Sequence, residues 1–472
     1  MMMAVVVAVF HAMGLASSVH AVMSTRTSQG AIAWAVTLNT FPYVAVPAYW
    51  VFGRSKFQGY VVARRNTDVR NDAIEQKAIQ NLAPYRVPEV DRAEAVSAAE
   101  GLANMPVLKG NSVELLIDGD ATFRSILQGI DAATDYVLVQ FYIVHDDGLG
   151  RALKDHLIAK AKQGLRVYFL YDEIGSHALP KHYKQELRDA GVDIREFNTR
   201  KGRRNRFQLN FRNHRKIVVT DGRVAWVGGH NVGDEYLGKD PKFGHWRDTH
   251  VRIEGPAVLK AQISFMEDWY WATDTFPEVS WDVRPAPDGS DARVLIIPTG
   301  PADQLETCNL MFVHAINSAT ERIWIASPYF VPEHSVIVAL QLAGLRGVDV
   351  RILIPDNPDH LSVYLAAYSY FDEAGQTGAK FYRYQDGFLH EKAMLVDDQV
   401  ATIGTANFDN RSFRLNFEIT AAIADPTFVG EVERMFEADF ARSRLMQPGE
   451  YDRKPWYFRL GVRLARLTSP IQ

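Results

Sequence analysis

His214, Lys216, Asp221, Gly228 and Asn231 recur, at identical spacing, as His390, Lys392, Asp397, Gly404 and Asn407. Between them lie apolar runs, Ile217-Val218-Val219 and Met394-Leu395-Val396, closed by Asp-Gly and Asp-Asp. A hydrophobic hairpin accounts for the apolar runs but not for two copies of the same polar positions, and repetition of this kind is an architectural signal. A paired imidazole, ammonium and carboxamide suit an anionic tetrahedral group, most simply a phosphodiester. Lysine supplies compact positive charge, and pre-placed donors stabilise charge building on the oxygens during displacement. Asn231 and Asn407 follow just past the strand ends, where their amides can donate to the same group. One histidine can attack phosphorus while the other protonates the leaving alcohol. In-line displacement needs those groups on opposite sides of phosphorus, a geometry that two facing halves provide.

Side chains two apart on a strand share a face, so His214 goes with Lys216 and His390 with Lys392. Two-residue turns at Asp221-Gly222 and Asp397-Asp398 set His214 opposite Gly229 and His390 opposite Thr405, beside Gly404. Small residues are therefore expected where a ligand nears each imidazole. Each ring needs its far nitrogen held by an acceptor. Asp248 for His214 and Glu418 for His390, at similar distances downstream, are the candidates. Asp221 and Asp397 belong to the motif but sit at the turns, the wrong end of the hairpin for phosphate, and are expected to bond turn amides or a nearby cation. Asp172-Glu173, Asp356 and Asp359 occupy strand ends where a metal could be held. No compact carboxylate or His-Glu spacing accompanies them, so they are expected to be solvated or paired with lysine, with no metal and no cofactor.

The elements that must position these groups are repeated too. "GIDAATDYVLVQFYIV", a helical pattern from Gly150 to Gln163 and "LRVYFLYDEIG" parallel "AINSATERIWIASPYFVP", a helix from Ser335 to Leu345 and "VDVRILIPDN". Strand and helix patterns alternate, which predicts an α/β fold. Two pseudo-twofold-related domains of mixed β-sheet flanked by helices are expected at 106–275 and 292–443, joined by a Pro- and Gly-marked linker at 276–291.

The 472 residues leave room for two or three domains, and the net charge of -4 argues neither for nor against a nucleic-acid partner, of which none is expected. The single cysteine, Cys308, is expected to be a small core residue. Met1 to Val22 and Ala31 to Phe52 hold no charged side chain and each has about the length that crosses a bilayer. Two hairpinned transmembrane helices within 1–52 are expected, with Trp34, Tyr43, Tyr49 and Trp50 as interfacial anchors. A cleaved signal peptide ending near Val19-His20-Ala21 is the rival, although it lacks a basic amino-terminal region. Arg54, Lys56, Arg64 and Arg65 outnumber Arg26 in the connecting turn, so everything after Phe52 is expected on the cytoplasmic side. The segment 53–105 is expected to be a juxtamembrane linker, helical and surface-lying from about Asn66. At 444–472, "PWYFRLGVRLARL" predicts a basic amphipathic helix whose stripe of Tyr457, Leu460, Leu464 and Leu467 runs beside Arg459, Arg463 and Arg466. Two readings stand for it: an anionic membrane interface or the protein's own core. "TRKGRRNRF", Thr199 to Phe207, is a basic insertion found only before the first motif, either a head-group collector or a solvated loop.

The doubled His-x-Lys-x4-Asp motif resembles the signature of the phospholipase D superfamily, and the likeness covers most of the chain after residue 105. Within that superfamily, "GGHNVGDEY", "SPYFVP" and "GTANFDNRSFRLNFE" are similar to bacterial cardiolipin synthases, as are two amino-terminal membrane segments. The resemblance implies a metal-free phosphatidyltransferase of the bacterial inner membrane. Its substrate would be the anionic lipid phosphatidylglycerol, two molecules giving cardiolipin and glycerol through a phosphatidyl-histidine. His214 would be the nucleophile and His390 the general acid and base, an order that the symmetric residues themselves leave open. A hydrolase releasing phosphatidic acid, or a synthase using phosphatidylethanolamine as donor, would carry the same residues. Homo-oligomerisation is left open.

Overall fold

The structure, a computed structural model, describes residues 1–53, 57, 60, 80–88, 94–198, 210–447 and 449–472. The basic insertion from Thr199 to Phe207, the cations Arg54, Lys56, Arg64 and Arg65, and most of the 53–105 linker lie outside the described residues.

The first half builds strands β1 (Leu108–Ile117), β2 (Tyr136–Phe141), β3 (Arg166–Asp172), β4 (Asp193–Phe197), β5 (Arg212–Asn213), β6 (Ile217–Thr220), β7 (Val224–Gly228), β8 (Trp246–Arg247) and β9 (Thr249–Glu254). The second half builds β10 (Ala292–Thr299), β11 (Arg322–Ala326), β12 (Phe330–Val331), β13 (Asp349–Pro355), β14 (Lys380–Tyr384), β15 (Phe388–Leu389), β16 (Ala393–Val396), β17 (Val400–Gly404), β18 (Phe408–Asp409), β19 (Asn416–Ala424) and β20 (Ser443–Leu445). The strands do not form separate sheets for each half. One 16-stranded sheet runs β20-β14-β13-β11-β16-β17-β19-β10-β1-β9-β7-β6-β2-β3-β4, with β5 attached to β19. Its two arms mirror each other about the antiparallel β1–β10 seam. β20 continues the sheet by pairing with β14, two residues past the expected end of the second domain. Every residue of β2 is buried, because helices cover both faces. Leu138 joins the core beneath the helices Val258–Thr273 and Pro426–Ala441, whereas Val137 and Val139 join the core on the other face.

Each motif hairpin is one residue longer in its loop than the sequence suggests. Thr220 pairs with Val224 and Val396 with Val400, so three residues rather than two make each turn. Asp221 and Gly222 both adopt the left-handed region, at φ 54° and 64°, as does Asp397 at 49°. Asp tolerates that region through local hydrogen bonds. The first ladder ends at Ile217↔Val227, leaving His214 and Lys216 beyond it.

At the amino terminus, α1 (Met2–Ser24) is the one described helix long and apolar enough to cross a membrane. The second expected span is broken: α2 (Ser28–Thr40) ends at Phe41, φ -131° and ψ 57°, and α3 (Pro42–Phe52) starts on a proline. A residue before proline is driven out of helical geometry, and proline suits a helix's first position. The two limbs fold back on each other against α1. Asn39 donates to Ser18 Oγ at 2.7 Å, on an α2 that follows α1 through a short turn and runs back along it. Tyr43 meets Phe10 with ring centroids 5.3 Å apart, while Trp50 donates to Ser17 Oγ at 3.1 Å, so α3 runs alongside α1 in the same direction. Arg26, in the turn after α1, ion-pairs with Glu306 at 2.7 Å and Glu333 at 3.3 Å on the second half.

The described parts of the linker lie partly on the surface, with Asn81, Pro84, Ser97 and Ala98 exposed, but several of its apolar side chains turn into the core. Phe57 is buried against Phe211, Trp271 and Phe417, and Tyr60 donates to buried Asp268 at 2.7 Å. Leu82 and Ala103 are buried in the second half's core. Cys308 is buried as expected of a core residue.

Candidate active site

Short strands exchanged between the halves deliver both histidines to the seam. β5 pairs in parallel with β19, Asn213 opposite Phe417, and the His214 amide donates to the Phe417 carbonyl at 2.9 Å. Reciprocally, β15 pairs in parallel with β8, Leu389 opposite Arg247, and the His390 amide donates to the Arg247 carbonyl at 2.7 Å. The next residue along the chain is in each case a carboxylate, Glu418 within β19 and Asp248 just past the end of β8. Glu418 Oε2 lies 2.9 Å from His214 Nδ1, and Asp248 Oδ2 lies 2.6 Å from His390 Nδ1. The sequence reading therefore has the right carboxylates and the wrong partners: each histidine is held by the opposite half. Equal spacing along the chain cannot distinguish a pairing within a half from one across the seam.

Glu418 is fully buried and accepts from Thr405 Oγ1 at 2.6 Å, Ser412 Oγ at 2.8 Å and Asn416 Nδ2 at 3.1 Å besides the imidazole. Asp248 accepts from the Thr249 amide at 2.8 Å. Burial depresses His214 to about 4, against the opposing pull of Glu418. A neutral ring donating Nδ1–H to Glu418 leaves Nε2 unprotonated and without a hydrogen-bond partner among the described residues. Burial, reinforced by Lys392, Lys216 and His214, also holds His390 well below its usual value. His390 Nδ1 has a second neighbour, Lys392 Nζ at 2.7 Å, so its ring sits between a carboxylate and an ammonium. Lys216 Nζ donates to the His214 carbonyl at 2.7 Å and lies 5.5 Å from the Tyr142 ring, which itself stands 5.0 Å from His214. Burial lowers Lys392 to about 8 and lowers Lys216 strongly, and an incoming anion would favour the charged form of both.

Several expected roles shift. Gly229 makes room for Asp248 rather than for a ligand: a Cβ there would lie 2.0 Å from Asp248 Oδ1. Gly404 permits close passage of β19, since its Cβ would sit 2.7 Å from the Ile419 carbonyl oxygen. Asn231 is engaged structurally, accepting from the Ile143 amide and donating to Tyr236 Oη, both at 3.1 Å. Asn407 is the freer of the two, its buried Oδ1 having no partner among the described residues. Asp221 accepts the Thr134, Asp135 and Tyr136 amides, and Asp397 those of Thr320, Glu321 and Arg322, as turn positions imply.

Asp172 is not solvated. It is 1% exposed, accepts the Ile174, Gly175 and Asn213 amides, and is raised to about 6 by burial. Asp359 accepts from Tyr329 Oη, and Asp356 pairs with Arg383 at 3.3 Å, an arginine and not a lysine.

The residue between His and Lys in each motif escaped the sequence reading. Arg215 is buried and pairs with Asp268 at 3.0 Å, within a network that reaches Tyr60, Gln140 and Asn213. Glu391 is buried against Arg247 at 3.0 Å, which also holds Asp439 at 2.8 Å. A charge flanked by His and Lys and followed by an apolar strand was the available signal.

The arrangement can hold a phosphate between two lysines, with an unprotonated imidazole to attack it and a second imidazole opposite. A family profile described as "Cardiolipin synthase, PLD-like domain" matches residues 126–269 and 312–440. The chain is 50% identical over 474 residues to the cardiolipin synthase A of Pseudomonas fluorescens, covering 98% of this chain and 97% of that one. It is also 50% identical over 467 residues to the cardiolipin synthase A of Pseudomonas aeruginosa, covering 97% and 94%. Among solved structures, a Haemophilus influenzae phosphatidylserine synthase shares the fold, with a TM-score of 0.60 and 16% identity over 81% of this chain and 100% of that one.

Proposed function

Because the chain belongs to the cardiolipin synthase family of the phospholipase D superfamily, we propose that it joins two phosphatidylglycerol molecules into cardiolipin and glycerol by way of a phosphatidyl-histidine. The observation that carries the mechanism is the crossed pairing of two buried histidines with carboxylates from opposite halves. His214 Nε2 attacks the donor phosphorus while Glu418 keeps the proton on Nδ1. The bound phosphate's negative charge offsets the lysines that depress His390, so its ring takes up a proton from solvent as substrate binds. The P–O bond to the head-group glycerol breaks as His390 passes that proton to the departing oxygen. A hydroxyl of the second phosphatidylglycerol then gives its proton back to His390 and attacks phosphorus, releasing His214 and forming cardiolipin. Lys216 and Lys392 neutralise the charge on the non-bridging oxygens, and Asn407 donates to one of them. His214 takes the nucleophile's role because its ring has one carboxylate partner and a defined tautomer, whereas His390 lies between Asp248 and Lys392, a setting suited to taking and giving a proton.

The lipid-facing part is α1, about 35 Å long at 1.5 Å per residue and sufficient for a bilayer core of about 30 Å. The limbs α2 and α3, with 13 and 11 residues, reach only about 20 and 17 Å. They form a re-entrant hairpin whose apolar tip, Phe41 to Val44, enters the bilayer and returns. The catalytic halves then lie on the cytoplasmic side of the bacterial inner membrane, at the carboxyl end of α1.

The test is purified protein with phosphatidylglycerol in chelator, following cardiolipin, glycerol and phosphatidic acid. Cardiolipin with matching glycerol, lost in His214→Ala and His390→Ala, is the expected result. Phosphatidic acid in place of cardiolipin would make the protein a hydrolase, and activity only with phosphatidylethanolamine would replace the donor.

A further inference from the structure

The helix Trp456–Arg466 has two apolar faces, and only one is used by the fold. Phe458, Val462 and Ala465 pack against the second half's core, and Arg466 fastens that side to Glu373 at 3.1 Å and to the Ser369 carbonyl at 3.2 Å, both on the helix Leu361–Gly375. The stripe read from sequence points the other way. Leu460, Leu464 and Leu467 are 51, 56 and 76% exposed, and Trp456 and Tyr457 beside them are 69 and 65% exposed. At about 100° per residue these five side chains share one outward arc, with exposed Arg459 and Arg463 on its flank. The tail after this helix ends at the foot of α1. The Gln472 carbonyl accepts the Arg411 amide at 2.7 Å, and nearby Arg414 pairs with Glu306 and Glu333, the same carboxylates that hold Arg26.

We propose that this outward face is a second membrane contact, seated in the interface of an anionic bilayer while Phe458, Val462 and Ala465 keep it attached to the catalytic body. Trp and Tyr suit the head-group level, the leucines the acyl boundary, and Arg459 and Arg463 the lipid phosphates. Continuity with the foot of α1 puts the bilayer within reach, and the flanking cations favour an anionic surface over a second copy of this chain, which would bring arginine to arginine across a twofold. The face thus fixes the tilt of the catalytic body and holds the seam near its lipid. The inference rests on the proposed membrane function, yet it can be read without turnover.

The full-length protein is reconstituted in phosphatidylglycerol-containing vesicles, with an environment-sensitive fluorophore on Leu464→Cys or, as reference, on Arg223→Cys at the turn remote from the histidines. Cys308, the only native cysteine, is buried with its thiol pushed up in pKa, so it does not compete for label. Quenching by lipid-borne quencher several-fold stronger at 464 than at 223, weakened by Arg459→Gln/Arg463→Gln or by added salt, is expected. Equal quenching at both positions, or disulfide crosslinking between two copies at 464 without quenching, would overturn the inference. Strong quenching in a protein that makes no cardiolipin would support the face while sinking the transferase reading.

Discussion

Glu418→Gln tests the crossed pairing most sharply. Glu418 is surrounded by four donors, His214 Nδ1, Thr405 Oγ1, Ser412 Oγ and Asn416 Nδ2, so an amide can no longer accept from all of them and turns an N–H toward at least one. His214 then loses the acceptor that keeps the proton on Nδ1 and samples the tautomer whose Nε2 cannot attack. The equivalent carboxylate-to-amide change in a serine hydrolase triad costs roughly 10⁴ in kcat, or about 5 kcal/mol of transition-state stabilisation. A loss of about 10³ to 10⁴ is expected here. The informative substrate is a phosphatidyl ester of an acidic phenol, whose leaving group departs without a proton. Rapid mixing with it should give a phenolate burst in wild type, in Asp248→Asn and in His390→Ala, but none in Glu418→Gln or His214→Ala. A burst that survives Glu418→Gln and vanishes in Asp248→Asn would refute the assignment, since it would make His390 the nucleophile.

Gly229→Ala should mimic loss of Asp248, because its Cβ would intrude to 2.0 Å of that carboxylate. A displaced general acid costs about 10²-fold or more in activity on phosphatidylglycerol, with folding checked by thermal melting. Asp221→Ala removes the acceptor of the Thr134, Asp135 and Tyr136 amides and should lower stability by about 2 kcal/mol while leaving the burst rate per folded molecule unchanged. The acid limb of kcat/KM should fall near pH 4, where His214 protonates, rather than near the ordinary histidine value of about 6.5. His214 and His230 are both depressed to about 4 by burial, so the unfolded chain binds the extra protons between about pH 6.5 and 4. Stability should therefore fall as pH drops through that window, by up to about 1.4 kcal/mol per pH unit for each group, visible as a declining melting temperature. A thiol reagent confined to the catalytic side should label Gln29→Cys, in the first turn of α2, and miss Met3→Cys. Two full spans would reverse the result at residue 29.

The repeat was legible from spacing alone. Two copies of His-x-Lys-x4-Asp, each after an alternating strand and helix pattern, predict two matched α/β halves, and the apolar runs of β6 and β16 mark where the hairpins lie. The residue types at the site were legible too, because imidazole, ammonium and carboxylate in duplicate suit few chemistries. Tertiary structure decided which groups meet. Glu418 reaches His214, and Asp248 reaches His390, because β5 and β15 each pair with a strand of the other half, a long-range choice that local periodicity does not record. It also decided the use of Gly229, whose missing side chain is filled by a carboxylate 19 positions away in sequence. Hydropathy counts apolar residues without regard to backbone geometry, so it joined α2 and α3 into one span, whereas Pro42 and the conformation it imposes on Phe41 break them apart. The leucine stripe of the carboxyl-terminal helix was plain from its period, but only packing reveals that the opposite face, Phe458 and Val462, is the one the fold buries. Periodicity reports that a helix has an apolar side; the partner that covers it is a property of the assembled chain.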